Sequence, residues 1–305
     1  MLNFIRMGIL VLVVFFLSGC PSEGTAKPDG DIDSLASEMV GEVIQNLVFI
    51  EGGHFKMGDF GVIQNGRWLP YFPPSADEDV AHAVELSSFY LSKYEVSWRE
   101  WDLYRLSVGK PIFFQGLDGK EERAAFDQDA DSLYYINKPA RVEWQEAKDF
   151  CLWVGQLTGH SFELPTSAQW EFAARNRGSK AWLYPTHDGQ PTPNDQQKHM
   201  QGCDAWTGIC PVGQRYPPNP LGLYDMAGNA KEWVEDWFSP TYYRESEGVK
   251  NPTGPSEGKE KVLRSTGLGS LDFSFTITKA PLIPQDGILV RAGFRCAVQS
   301  SEPIR

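Results

Sequence analysis

Acidic side chains are embedded among large apolar ones in one stretch of the chain, Gly222–Trp237. The glycines at 222 and 228 and the Gly-Asn dipeptide at 228–229 favour a winding loop over a continuous helix, because these residues adopt positive φ at low cost. A carboxylate buried without a partner is costly, so this loop must supply partners to its acids, and a hard cation is one such partner. The acidic residues are Asp225, Glu232, Glu235 and Asp236.

The cysteines offer a second kind of chemistry. Apart from Cys20 the chain contains Cys151, Cys203, Cys210 and Cys296. In an oxidising compartment four cysteines can pair in three ways, and the sequence alone leaves all three open. A zinc or copper site built from His199, Cys203 and Cys210 is the alternative, but this set lacks a fourth ligand.

The compartment follows from the N-terminal residues. Arg6 precedes an apolar run, Met7–Leu17, that is too short to span a bilayer and ends in Leu-Ser-Gly-Cys at 17–20. This pattern resembles a bacterial lipoprotein signal, residues 1–19, with cleavage before a lipidated Cys20; an ordinary signal peptide with an incidental cysteine is the alternative. Pro21 rather than Asp follows the cysteine, which in the sorting pattern of diderm bacteria favours the outer membrane, facing the periplasm or the cell surface.

Composition limits the partners and the architecture. The formal charge of −12 disfavours binding to nucleic acid, which requires clustered Lys and Arg, and favours cations or basic ligands. The 10 Trp, 29 Gly and 21 Pro predict aromatic anchors joined by irregular backbone rather than a helical bundle. Most of these aromatic residues are expected in the core.

Several short elements must position the acidic loop. Residues 20–45 read as a lipidated cysteine with a flexible linker, and the folded domain as 46–300. Strands are expected at 47–50 and 54–58 around a glycine turn, at 84–91, at 261–264 and within 290–298. Capping boxes at Ser97 and Thr166 each open a helix, and helical spacing over 140–156 places Cys151 in the core. Residues 110–137 are expected to be loop.

Five fragments match one known family in the right order. The chain resembles the formylglycine-generating enzymes, or sulfatase-modifying factors, from about residue 46 to 298. The resemblance implies an α+β, C-type-lectin-like fold with much irregular structure, short strands and a few short helices. The matching fragments are Phe49–Gly53 with Met57-Gly58, Tyr94–Val96, Leu164–Thr166 with Trp170-Glu171, Gly222–Trp237, and Gly293–Cys296.

The resemblance also implies two structural features. Relatives form a disulfide at the positions of Cys151 and Cys296, which leaves Cys203 to pair with Cys210. Relatives bind calcium in the loop that begins at Asp225. Carried over to this chain, the calcium ligands are Asp225, Gly228, Ala230 and Glu232, a set that combines carboxylates with backbone carbonyls, as calcium prefers. The alternative is that Asp225 and Glu232 bond to loop amides or to Arg side chains.

The resemblance supports the fold more strongly than it supports a catalytic activity. Active relatives bind copper through two cysteines ahead of the Gly-Phe-Arg-Cys motif, and residues 263–291 of this chain contain no cysteine. Iron chemistry of the ergothioneine-synthase type needs clustered histidines, whereas His54, His82, His160, His187 and His199 are scattered. We therefore expect calcium but no copper, and a non-catalytic envelope component that binds a protein partner. Whether it is an enzyme stays open, the alternatives being an oxidase with an altered site and a carbohydrate-binding module.

Overall fold

The computed structural model describes residues 31–70, 78–116, 119–122, 125–190, 203–204, 207–265, 278–281 and 291–304. Cys20, the predicted signal sequence and His199 lie outside these ranges. Within them, no helix combines the length and the apolar character needed to cross a membrane.

Short strands and a few helices alternate with irregular backbone. The helices are α1 (Ile32–Gln45), α2 (Trp98–Ser107), α3 (Trp144–Thr158), α4 (Ser167–Ala174) and α5 (Tyr242–Glu245). The strands are β1 (Leu47–Ile50), β2 (Gly53–Met57), β3 (Val62–Gln64), β4 (Arg67–Leu69), β5 (His82–Leu86), β6 (Phe89–Ser92), β7 (Phe113–Gly116), β8 (Gly119–Glu122), β9 (Phe162–Glu163), β10 (Glu232–Trp237), β11 (Glu260–Arg264), β12 (Thr278–Pro281), β13 (Gly293–Phe294) and β14 (Ala297–Val298). The mixture confirms the predicted α+β class.

Two four-stranded sheets organise the described part of the chain. One has the strand order β1-β6-β14-β9 and is antiparallel throughout. The other has the order β12-β11-β10-β13, in which β10 runs parallel to β13. Because β13 and β14 are separated only by Arg295 and Cys296, the Gly-Phe-Arg-Cys motif carries the chain from one sheet directly into the other.

The predicted helix starts are confirmed where a capping box marks them. Ser97 caps α2 and pairs reciprocally with Glu100, and Thr166 caps α4 and pairs with Gln169. The third predicted helix begins at Trp144 rather than Ala140. Its apolar face is buried as predicted, with Cys151 fully enclosed.

The prediction of a flexible linker up to residue 45 is wrong in its second half. Residues 32–45 form α1, which Asp31 caps and which packs against α2 and α3. Its buried residues are Ala36, Met39, Val40 and Val43. They follow the i, i+3, i+4, i+7 spacing of a helix that buries one stripe, so the signal was present in a segment of otherwise polar composition.

The strand predictions are confirmed in part. The strands expected at 47–50 and 54–58 are β1 and β2, which pair with β6 and β5. The single strand expected at 84–91 is two strands, β5 and β6, which belong to different sheets. The expected loop over 110–137 contains an antiparallel pair, β7 and β8.

Candidate functional site

The acidic stretch Gly222–Trp237 is a loop followed by a strand. Positive φ angles occur at Gly222, Asp225, Gly228 and Asn229, which confirms the predicted winding backbone for the first part. From Glu232 onwards the stretch is instead β10, at the centre of the second sheet. The loop thus delivers Glu232 into the core at the first residue of a strand.

Glu232 is completely buried and pairs with Arg295. The Arg295 guanidinium donates from Nη2 to Oε1 at 2.7 Å and from Nε to Oε2 at 2.8 Å, and the indole of Trp170 donates to Oε2 at 3.0 Å. Arg295 also donates to the carbonyl oxygens of Ser92, Lys93 and Tyr224. Both carboxylate oxygens of Glu232 are therefore occupied by protein donors.

A second buried acid, Glu95, holds the turn of the loop. Its Oε1 accepts from the Ala230 amide at 2.9 Å and its Oε2 from the Asn229 side chain at 2.6 Å. The Asn229 side-chain oxygen in turn accepts from the Cys210 amide at 2.8 Å. Burial raises the pKa of Glu95 well above its ordinary value, and the negative charges of Asp225 and Glu232 raise it further.

Two acids of this stretch, Asp225 and, in β10, Glu235, have a buried oxygen without a hydrogen-bond partner in the described structure. The Oδ2 atom of Asp225 accepts from the Gly213 amide at 2.5 Å, while its Oδ1 is buried without a partner. Burial raises the pKa of Asp225 to about 6. The charge of Arg215 opposes this rise, and Arg215 also lies beside Gly228, since a Cβ atom added there would be 3.5 Å from its Nε. The free Oδ1 marks the point at which the loop could accept a proton or a cation.

The predicted calcium ligands fit a cation only in part. Asp225 offers a free oxygen, and the Gly228 carbonyl accepts only a long bond of 3.3 Å from Ser265 in the described structure. Glu232 does not fit, because Arg295 and Trp170 occupy its carboxylate. The Ala230 amide donates to Glu95, a bond that does not involve the carbonyl oxygen predicted to bind calcium. No group of three or more His, Cys, Asp or Glu side chains in the described ranges is arranged to hold a metal ion.

The four cysteines form the two predicted disulfides. Cys151 bonds to Cys296 with a Cα–Cα distance of 5.6 Å, which ties α3 to the residue after Arg295. Cys203 bonds to Cys210 and closes a short loop beside Asn229. The alternative metal site on His199, Cys203 and Cys210 is excluded for the two cysteines, because they are bonded to each other.

A further ion-pair network, which the sequence did not indicate, lies under α4. Glu171 is completely buried and accepts from Arg175 at 2.9 Å, from Arg264 at 2.6 Å and from the Gly58 amide at 2.9 Å. His82, one of the five scattered histidines, is buried and bonds to Val80 O and Ser246 Oγ. The only available signal was a charge directly beside apolar residues, as in Trp-Glu-Phe at 170–172.

The segment in which active relatives carry their cysteines is described only at its ends and at β12. Leu263 and Arg264 belong to β11, and Ser265 follows with a φ of 68°. Residues 266–277 and 282–290 lie outside the described residues.

Comparison with known proteins decides the family. The model of the sulfatase-modifying factor enzyme 1-like domain matches residues 34–300. The chain belongs to this sulfatase-modifying factor family. The match begins inside α1, in agreement with the packing of that helix against the domain.

Proteins with different names resemble this chain. A formylglycine-generating enzyme of Streptomyces coelicolor is 34% identical over 293 residues, covering 82% of this chain and 88% of its own length. The serine/threonine-protein kinase pkn1 of Chlamydia pneumoniae is 28% identical over 262 residues, and the match spans 84% of this chain but only 38% of the kinase. Among solved structures, that of PvdO from Pseudomonas aeruginosa has a TM-score of 0.61 at 22% identity and covers 83% of this chain and 94% of its own, which shows the shared fold.

Proposed function

We propose that this sulfatase-modifying factor protein is a lipid-anchored component of the bacterial outer membrane, and that its domain binds or supports an envelope protein without catalysing a reaction. The sequence before Cys20 supports the anchor, since a positive residue, an apolar run and Leu-Ser-Gly-Cys stand in the order of a lipoprotein signal. The charge of −12 favours a partner with a basic surface over nucleic acid.

The pairing of the cysteines in disulfides is the observation that supports a domain without catalysis. Copper binding in the formylglycine-generating relatives would need free thiolates, which are soft ligands. In this chain all four cysteines beyond Cys20 are consumed in two disulfides, and none stands between Leu263 and Arg291. The domain therefore has no thiol pair to offer to copper.

A titration of free thiols, together with a copper-binding measurement, tests the proposal that the domain has no thiol pair for copper. We expect fewer than one reactive thiol per unreduced, lipidated chain, and no copper(I) retained after dialysis against a weak chelator. Reduction followed by removal of the reductant provides the matched control, because it should expose thiols in the same protein. Stoichiometric copper in the unreduced protein would favour the alternative, an oxidase with an altered active site.

The anchor is tested by replacing the lipidated residue. Cys20→Ser should abolish lipid attachment, detected as a loss of acyl mass on the N-terminal peptide, and release the protein into the soluble envelope fraction. A matched Ser18→Ala variant, which leaves the cysteine in place, should stay with the membrane. Release of both variants, or of neither, would contradict lipidation at Cys20.

We also propose a calcium ion at Asp225, as a structural rather than a catalytic ion. Two features support it: the unpaired Oδ1 of Asp225 and the weakly bonded carbonyl of Gly228. Because Arg295 occupies Glu232, the remaining ligands of the ion would be backbone oxygens and water. We therefore expect weaker binding than at a site rich in carboxylates.

Carbohydrate binding, the lectin-type alternative, finds less support. A sugar site needs exposed aromatic faces, but five tryptophans in the described ranges are buried in the core. They are Trp98, Trp101, Trp144, Trp170 and Trp233. The partner-binding role therefore stands as the first proposal.

A further inference from the structure

A group of buried charges near β2 and β5 is separate from the acidic loop, and we call it the Asp79 cluster. It consists of Asp59, Asp79, Glu171, Arg175 and Arg264. Asp79 is 1% exposed, and the other four are also buried. A main-chain hydrogen bond joins the two segments that carry Asp59 and Asp79, since the Asp59 amide donates to the Asp79 carbonyl at 2.8 Å.

The carboxylates of this cluster differ in the hydrogen bonds that they accept. Glu171 accepts from both guanidinium groups, from Arg175 at 2.9 Å and from Arg264 at 2.6 Å. Asp59 accepts from the Gly61 amide at 2.8 Å. Asp79 is different, since both of its carboxylate oxygens are buried and neither has a hydrogen-bond partner.

The charges of the cluster do not balance. Three carboxylates face two guanidinium groups, which leaves one negative charge in excess if every acid is ionised. An isolated buried carboxylate is far more costly than a neutral carboxyl group, so it binds a cation or a proton. Within the described part of the chain, no set of three ligating side chains could hold a metal ion here. A proton needs no set of ligands to neutralise a buried carboxylate.

We propose that Asp79 is a proton-binding site that couples the contact between residues 58–61 and 78–82 to the pH of the surroundings. Burial, then the charge of Glu171 and that of Asp59, raise the pKa of Asp79 to about 8, while Arg264 and Arg175 oppose this rise. The groups that face Asp79 are thus Glu171 and Arg175 on or beside α4, Arg264 on β11, Tyr243 on α5, and Asp59.

Ionisation of Asp79 acts on a tightly packed contact. A charged Asp79 repels Glu171, which holds the Gly58 amide, and competes with Glu171 for Arg264. Gly58 has a φ of +95°, and a Cβ atom there would lie 2.8 Å from the Val80 carbonyl, so the two segments have no room to adjust while they stay in contact. Loss of the proton therefore loosens the contact between residues 58–61 and 78–82. The ion pair of Glu232 with Arg295 lies outside the Asp79 cluster.

Urea unfolding of the full-length protein between pH 5 and 9 tests the proposal. Because the native pKa of Asp79 is raised above the unfolded value, the native state holds a proton that the unfolded state has released. The unfolding constant of the wild type, divided by that of Asp79→Asn, should therefore rise by up to about tenfold per pH unit from about pH 4 to about pH 8 and level off above it. The exposed acid on α1 gives the control, Glu38→Gln, whose ratio to wild type should stay flat.

Two further measurements complete the test. Asp79→Ser removes the carboxyl group without introducing an amide, so it should reproduce the profile of Asp79→Asn. In the wild type, infrared difference spectra between pH 6 and pH 10 should show the loss of a protonated carboxyl band that Asp79→Ser lacks. Parallel pH profiles for wild type and both variants would overturn the proposal. It would also be overturned if sodium or calcium stabilised the wild type at pH 9 but not Asp79→Ser, because the site would then bind a cation.

Discussion

Glu232 and Arg295 form a bidentate ion pair in which both side chains are fully buried. Glu232 opens β10 in one sheet, and Arg295 stands between β13 of that sheet and β14 of the other. The pair thus joins the acidic loop to the crossing point of the two sheets, and the Cys151–Cys296 disulfide fixes the adjacent residue to α3.

Removal of Arg295 should destabilise the fold severely. Arg295→Met leaves Glu232 buried without its cation and removes one donor from each of three carbonyl groups. Breaking a buried pair from one side costs roughly 3–5 kcal/mol, and we expect a loss in this range in urea unfolding at pH 7.

The matched double variant separates charge from packing. Glu232→Gln with Arg295→Met leaves no unpaired ion and keeps an acceptor for Trp170, so it should lose less stability than Arg295→Met alone. A loss below about 1 kcal/mol for the single variant would show that the pair does not hold the sheets together.

The two disulfides should contribute unequally to stability. Cys151 and Cys296 close a loop with a sequence separation of 145, whereas Cys203 and Cys210 are 7 apart. Loop-closure entropy then assigns about 5 kcal/mol to the first bond and about 2 kcal/mol to the second. We expect the paired Cys→Ala variants to follow this order in unfolding experiments, and the opposite order would contradict it.

Calcium binding should depend on pH through Asp225. The ion needs the ionised carboxylate, and burial raises the pKa of Asp225 to about 6. Calorimetric titration should therefore show affinity that is constant above about pH 7 and falls by up to about tenfold per pH unit below about pH 6. Asp225→Asn should remove the binding, and Asp33→Asn, at an exposed position on α1, should not. Equal binding by Asp225→Asn would place the ion elsewhere.

Local signals in the sequence predicted local structure well. The capping boxes at Ser97 and Thr166 located two helix starts to the residue, because a cap depends only on neighbours in sequence. The apolar spacing typical of α1 is also a local signal, but the polar residues before the helix concealed the residue at which it begins. The disulfide between Cys151 and Cys296 was predicted from resemblance, since three pairings were open to the residues alone.

Long-range pairing explains what the sequence could not predict. Glu232 was assigned to a cation because its spacing from Asp225 was visible, whereas its contact with Arg295 spans 63 positions and depends on how the sheets meet. The same holds for Glu171 with Arg264, which are 93 positions apart. A carboxylate that must be neutralised is readable from sequence, but the identity of its partner requires the fold.

Conversion of a cysteine-containing sulfatase-type peptide tests the central claim, a domain without catalysis, most directly. The purified lipidated protein, supplied with copper, oxygen and a reductant mild enough to preserve its disulfides, would be incubated with the peptide and analysed by mass spectrometry. The formylglycine-generating enzyme of Streptomyces coelicolor serves as the positive control. We predict that the peptide keeps its cysteine, because Cys151, Cys203, Cys210 and Cys296 are all engaged in disulfides. Formation of formylglycine at a rate that scales with the amount of protein would contradict the account.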